Sequence, residues 1–147
     1  MRKERIRAVR SWRGGRARRD CVYVLKDANL PGFRGLHAAC VHVLFSFEFQ
    51  GHAYECALVS WYSPVGDRPD ADTGMWMVEP DVEVQGRRRQ LRLQVISLKT
   101  IVRAAHLIGV AGQSFLPLGV GPDISLDVFR EFYVNKYADH HSNEIAF

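Results

Sequence analysis

Apolar and polar residues alternate most strictly between Ala39 and Phe49. Val41, Val43, Phe45, Phe47 and Phe49 fall at every second position, with His42, Leu44, Ser46 and Glu48 between them. A period of two over nine residues predicts a half-buried antiparallel strand, because successive side chains of an extended chain point to opposite faces. Gln50-Gly51 follows, and glycine supplies the positive φ that a two-residue hairpin turn requires. The return strand is predicted over 53–62, with Tyr54, Cys56 and Leu58 on one face and Ala57, Val59 and Trp61 on the other. Near its end both faces are apolar, which suits a central strand covered on both sides.

The remaining elements are shorter. Cys21–Lys26 is β-branched and aromatic and reads as a strand, followed by turn material around Pro31-Gly32. Ser63–Asp72 holds two prolines and a glycine and reads as a loop carrying Asp67, Asp70 and Asp72; Thr73–Val78 returns as a strand. Asp81–Gln90 contains a second loop with Arg87, Arg88 and Arg89 at its tip, and Leu91, Leu93 and Val95 mark a fourth core strand. From Ser97 the period changes. Leu98, Ile101, Val102 and Ala105 suit one helical face with Ser97 as N-cap, and Leu107–Val110 leaves that turn as another strand. Residues 111–123 are a Gly/Pro-rich connection. Leu126, Phe129, Phe132, Tyr133 and Tyr137 recur at three- and four-residue spacing, predicting one long amphipathic helix over about 125–141 that packs on the sheet.

Charge changes this picture at one end. Residues 1–19 hold Arg2, Lys3, Arg5, Arg7, Arg10, Arg13, Arg16, Arg18 and Arg19 against Glu4 alone, a net +8, whereas the rest of the chain carries 11 basic and 15 acidic residues, a net −4. With few apolar residues and a Gly14-Gly15 break, residues 1–19 read as a disordered basic arm ahead of one domain over 20–147. Arginine-rich arms of this kind contact nucleic-acid phosphates or serve as nuclear-import signals; the competing reading is an incidental arginine-rich end. The arm has no apolar stretch behind it, so it does not read as a secretory leader, and no window is long and apolar enough to span a membrane. Cytoplasm or nucleus is the expected setting. Cys21, Cys40 and Cys56 have neither CxxC nor zinc-finger spacing and are expected as reduced thiols, Cys40 and Cys56 as small core residues.

Candidate chemistry is sparse. There is no GxSxG, P-loop or GxGxxG, so no catalytic residue and no cofactor is assigned. Asp139, His140, His141 and Glu144 are ligand types for zinc or manganese and define a third reading, a metal-dependent enzyme. Adjacent helical residues point about 100° apart, however, so the two histidines would not converge and are read instead as capping a helix C-terminus. Trp61, Tyr62 and Trp76 flank the loop bearing Asp67, Asp70 and Asp72, and aromatic faces beside carboxylates can hold methylated ammonium groups. That defines an alternative reading as a module that recognises a modified peptide; the competing reading makes the tryptophans core and the aspartates solvated turn formers.

Four blocks, CALVSWYSPVGDRPDADTGMWMVEP, VISLKTIVRAAHLIGVAG, SFLP and FREFYVNKYADHHSNEIAF, resemble the C-terminal segment of transposase-like proteins of mushroom-forming fungi, the Plavaka group of CACTA-type DNA transposons. The resemblance spans roughly residues 38–147. It implies a nuclear protein acting beside DNA or chromatin, an upstream transposase core as a possible partner, and a Met1 lying within a longer frame. The acidic triad of such transposases belongs to an upstream ribonuclease-H-like core, so transposition is not implied for this chain. The order of strand, Trp-Tyr pair, acidic loop, strand and VISLKTI block also looks like a bromo-adjacent homology module or related SH3-like barrel. The expected architecture is mainly β: a bent antiparallel barrel of five to six strands with a C-terminal helix. The expected function is a non-catalytic module that binds nucleic acid or chromatin, using the nine arm cations and Arg87–Arg89.

Overall fold

The computed structural model describes residues 3–112, 116, 118–121 and 125–147. Among the described residues twelve strands follow in chain order: β1 Ala8–Val9, β2 Arg18–Arg19, β3 Cys21–Leu25, β4 Leu36–Phe49, β5 His52–Pro64, β6 Met77–Pro80, β7 Val82–Gln85, β8 Arg88–Leu91, β9 Leu93–Ser97, β10 Ile101–Ala105, β11 Leu107–Gly109 and β12 Phe132–Val134. Two short α-helices, α1 Ser125–Val128 and α2 His140–Ala146, join 3-10 turns at Gly32–Gly35 and Leu98–Thr100.

Eight strands form one antiparallel sheet in the order β10-β3-β4-β5-β6-β12-β11, with β9 branching beside β5. The first and last strands of that path, β10 and β11, are separated in the chain by His106 alone. One residue cannot bridge the width of a flat sheet, so the sheet must curl back on itself. The result is a mostly β structure with a nearly closed, barrel-like antiparallel sheet and a short C-terminal helix.

The β4–β5 hairpin is its backbone. Gln50 and Gly51 both have positive φ, 50° and 76°, the pattern of the tight turn whose twist matches that of paired strands. Pairing runs from Phe49 opposite His52 down to Ala38 opposite Tyr62. It shifts once: Val41 lies opposite Val59 but Val43 opposite Leu58, leaving His42 as a bulge. The bulge reverses the alternation. Val41 therefore faces away from Val43, Phe45, Phe47 and Phe49, although the sequence puts all five in one phase.

Side chains alternate between two apolar clusters. On the inner face Tyr23, Phe33, Tyr62, Trp76, Val78, Phe132 and Val134 pack with Ala146 of α2. On the outer face Val22, Val24, Val41, Val59 and Trp61 are covered by Ile6, Ala8, Ile96, Leu98 and Ile101.

Four expectations are corrected. The helix over 125–141 is replaced by α1, the strand β12 and α2. Phe132 and Val134 are fully buried by pairing between β6 and β11, and that burial outweighs the helical spacing of their neighbours. The helical face from Leu98 to Ala105 is only a 3-10 turn; Ser97 Oγ accepts from the Lys99 N–H at 3.3 Å, and β-branched Ile101 and Val102 then enter β10. The strand through Leu91, Leu93 and Val95 is broken at Arg92, and these three side chains are left exposed to water while Ile96 packs on the outer cluster. The arm is not a loose tail over 8–19: β1 and β2 pair there as a small hairpin. Arg2 and part of the 111–123 connection lie outside the described residues.

Candidate nucleic-acid interface

The arm hairpin is built from local chemistry that its composition conceals. Ser11 Oγ donates to the Gly15 carbonyl at 2.8 Å, the Gly15 N–H donates to the Trp12 carbonyl at 2.9 Å, and the Trp12 N–H donates to the Arg16 carbonyl at 3.0 Å. Arg13 and Gly14 supply the left-handed backbone that reverses the chain. The guanidiniums of Arg7, Arg13 and Arg18 then lie 4.7, 5.4 and 4.9 Å from the Trp12 ring. Cation–π attraction offsets the repulsion between these like charges.

Asp20 anchors the hairpin to the sheet. One carboxylate oxygen accepts from the Arg7 backbone N–H at 2.9 Å and the other from Arg18 Nε at 2.8 Å, while the Asp20 carbonyl accepts from the Val41 N–H at 3.0 Å. Ile6 and Ala8 pack on the outer face of the sheet, and residues 12–20 overhang the inner face. Farther up the chain, Arg103 Nη2 bonds Glu4 and, at 2.7 Å, Asp139.

Under the overhang lies a half-open cavity of about 750 Å³. Arg16, Arg18, Arg19 and Trp12 form one wall; Cys40, His42, Ser60 and Tyr62 form the floor; Pro80, Leu91 and Asp127 close the sides. The bulge turns His42 into this space, where Nε2 meets Ser60 Oγ at 2.8 Å. Burial, reinforced by Arg19, holds the His42 imidazole below its ordinary pKa and hence neutral. Cys21 and Cys40 sit directly opposite one another on β3 and β4. A hydrogen bond from Cys21 lowers the Cys40 thiol, and Arg19 acts in the same direction against burial; the same bond, with burial, raises Cys21. Burial raises the floor phenol of Tyr62 far above the ordinary range, so it stays protonated.

The β7–β8 hairpin rises beside this cavity, with Leu91 at its base and Pro80 at the end of β6 lining the space. Arg92 is tied to Asp81 at 3.7 Å and Glu83 at 3.1 Å. Arg87, Arg88 and Arg89 are exposed at and beside the tip, and no carboxylate among the described residues pairs with them. Two basic hairpins thus flank one concavity. Of the arm cations, Lys3, Arg5, Arg10, Arg13, Arg16 and Arg19 are exposed; Arg7, Arg13 and Arg18 pack on Trp12, and Arg18 also pairs with Asp20.

The aromatic–acidic alternative does not assemble. Trp61 belongs to the outer cluster, stacks on His37 at 4.2 Å and donates from Nε1 to Gln94 at 2.9 Å. Tyr62 and Trp76 belong to the inner cluster on the opposite face. All three are buried, and the alternation of β5 sends the neighbouring rings of Trp61 and Tyr62 to opposite sides. Asp70 accepts from the backbone N–H and hydroxyl of Thr73, both at 2.9 Å, and these bonds lower its pKa; Asp67 and Asp72 stand exposed in the turn.

The C-terminal cluster is a helix start, not a helix end. Asp139 caps α2, accepting from the Ser142 N–H at 2.8 Å, and that bond lowers its carboxyl pKa. His140 and His141 open α2 and share Glu144, at 3.0 and 3.2 Å. Among the described residues no group of three potential ligands converges as a metal site, and no helix is long and apolar enough to cross a membrane.

No family model, curated protein or solved structure matches the chain. His42 and Ser60 were invisible to sequence reasoning: 18 positions apart, they meet only because of the bulge. Trp12 was legible in principle, as a lone aromatic ring among arginines.

Proposed function

We propose that the chain is a non-catalytic nucleic-acid-binding module, with duplex DNA or chromatin as partner and the nucleus as its setting. The supporting observation is the pair of basic hairpins flanking the cavity. Cations held on short, ordered hairpins lose less conformational freedom on binding than cations on a loose tail. Phosphates would be met by Arg10, Arg13 and Arg19 on one side and Arg87, Arg88 and Arg89 on the other. Phosphate contact of this kind gives affinity and orientation without sequence selection. The fungal transposase resemblance supports the same reading, with the chain serving as an accessory to an upstream core.

The test is fluorescence anisotropy of a labelled DNA duplex at low salt. Deleting residues 1–19 would uncover the outer cluster, since Ile6 and Ala8 pack there. The informative variant is therefore Arg10→Ala/Arg13→Ala/Arg19→Ala, which keeps Ile6 and Ala8 on the sheet, Arg7 and Arg18 on Trp12, and the Asp20 anchor. Binding by the parent and clear weakening in the triple variant are expected. A parent chain that leaves the anisotropy unchanged at low salt would sink the proposal.

A further inference from the structure

Beyond the cavity, the inner face of the β4–β5 hairpin continues out of the barrel. Val43, Phe45 and Phe47 of β4 share that face with Tyr54 of β5 and with Leu93 and Val95 of β9, as the register requires. Each is between 37% and 53% exposed, although all are large and apolar. With Phe49 at the tip they leave about 600 Å² of apolar surface in water, at the upper end of what a monomer ordinarily shows. No Asp, Glu, Lys or Arg side chain of β4, β5 or β9 projects from this face; Glu48 and Glu55 lie on its reverse.

We propose that this face is the interface of a two-fold dimer, its occupant a second copy of the same chain. Three observations select that occupant. The area is sufficient: two such faces bury about 1,200 Å², which clears the roughly 1,000 Å² of a specific interface. The charge pattern is self-compatible, because a two-fold axis sets the patch against its own copy and an uncharged patch meets no repulsion there. The rings are arranged for packing in sheets and not for bases: Phe45 and Phe47 stack at 6.4 Å, Phe47 and Tyr54 at 5.2 Å, so neighbouring rings occupy one another's faces. A nucleic acid would also find no Lys or Arg of β4, β5 or β9 on this face to meet its phosphates. Two twisted antiparallel faces stack about 10 Å apart, as the layers of a sandwich do. The dimer stands or falls independently of the nucleic-acid reading, which concerns the arm and the β7–β8 tip.

Sedimentation velocity of the full chain, freed of nucleic acid and run in high salt over about 1–100 μM, tests it. A dimer with a dissociation constant in about the micromolar range is expected. Phe47→Glu and, on β9, Val95→Lys should each raise that constant by about 30-fold or more. Ser46→Lys, exposed on the reverse face opposite Glu55, should leave it unchanged. Circular dichroism confirms that each variant is folded, and weakening in either folded face variant supports the proposal. A parent chain that stays monomeric to about 100 μM overturns it, as does a dimer that both face variants leave intact. A monomeric parent whose Phe47→Glu variant loses affinity for a single-stranded oligonucleotide would overturn it too, and would assign the face to nucleic acid.

Discussion

Salt dependence gives the sharpest test of how the basic hairpins work. Arg10, Arg13 and Arg19 are exposed on the arm hairpin, and Arg87, Arg88 and Arg89 are exposed at the tip of β7–β8. If each meets one phosphate of a duplex, six counterions are displaced. The plot of log affinity against log salt then has a slope of about −5, since each phosphate contact contributes about −0.9. Raising salt from about 50 to about 200 mM should weaken the parent by on the order of 10³-fold. Arg10→Ala/Arg13→Ala/Arg19→Ala removes three contacts and should leave a slope of about −3, with only about a 40-fold loss over the same range. Arg87→Ala/Arg88→Ala/Arg89→Ala should give the same slope, because both hairpins border one cavity and one duplex would engage both. Anisotropy titrations at five or so salt concentrations measure all three slopes. Two outcomes refute the reasoning. If the arm variant keeps the parental slope, the arm does not reach phosphate. If the tip variant keeps it, the two hairpins do not act on one ligand.

Two further predictions concern stability. Phe132 is fully buried, packed edge-on against Tyr62 at 5.7 Å and Phe129 at 6.3 Å; Phe132→Ala should cost about 3–5 kcal/mol in urea unfolding, and a loss under about 1 kcal/mol would contradict β12 as a core strand. The pKa values of His37 and His42 are lowered, chiefly by burial, with Lys26 and Arg19 respectively adding to it. The unfolded imidazoles protonate near pH 6.5 while the folded ones do not, so this contribution is intact above about pH 6.5 and is lost as pH falls from there toward the folded values. Urea midpoints compared at about pH 7.5 and 5.5 should therefore drop more for the parent than for His37→Phe/His42→Gln, in which Phe keeps the stack on Trp61 and Gln can still bond Ser60. Equal drops would mean that neither histidine is linked to folding over that range.

The sequence by itself determined the elements whose signals are local. The Gln50-Gly51 turn, the two long strands it joins and the mainly β class follow from period-two patterning and one glycine, and they are present. The dense cationic end and the exposed Arg87–Arg89 tip are likewise composition made visible. What only the tertiary structure decided depends on pairing between distant segments. A bulge at His42 inverts the phase of the very strand whose pattern is clearest, carrying Val43 to Phe49 away from Val41's core and turning His42 toward Ser60. Phe132 and Val134 extend because β6 and β11 offer edges to pair with, although their spacing suits a helix. The arm is ordered because Trp12 gathers three guanidiniums and Asp20 binds the hairpin to the sheet, contacts that no residue count reveals. Alternation states which residues share a face, but only long-range pairing decides whether that face is buried, and here it left half of the most regular strand in water.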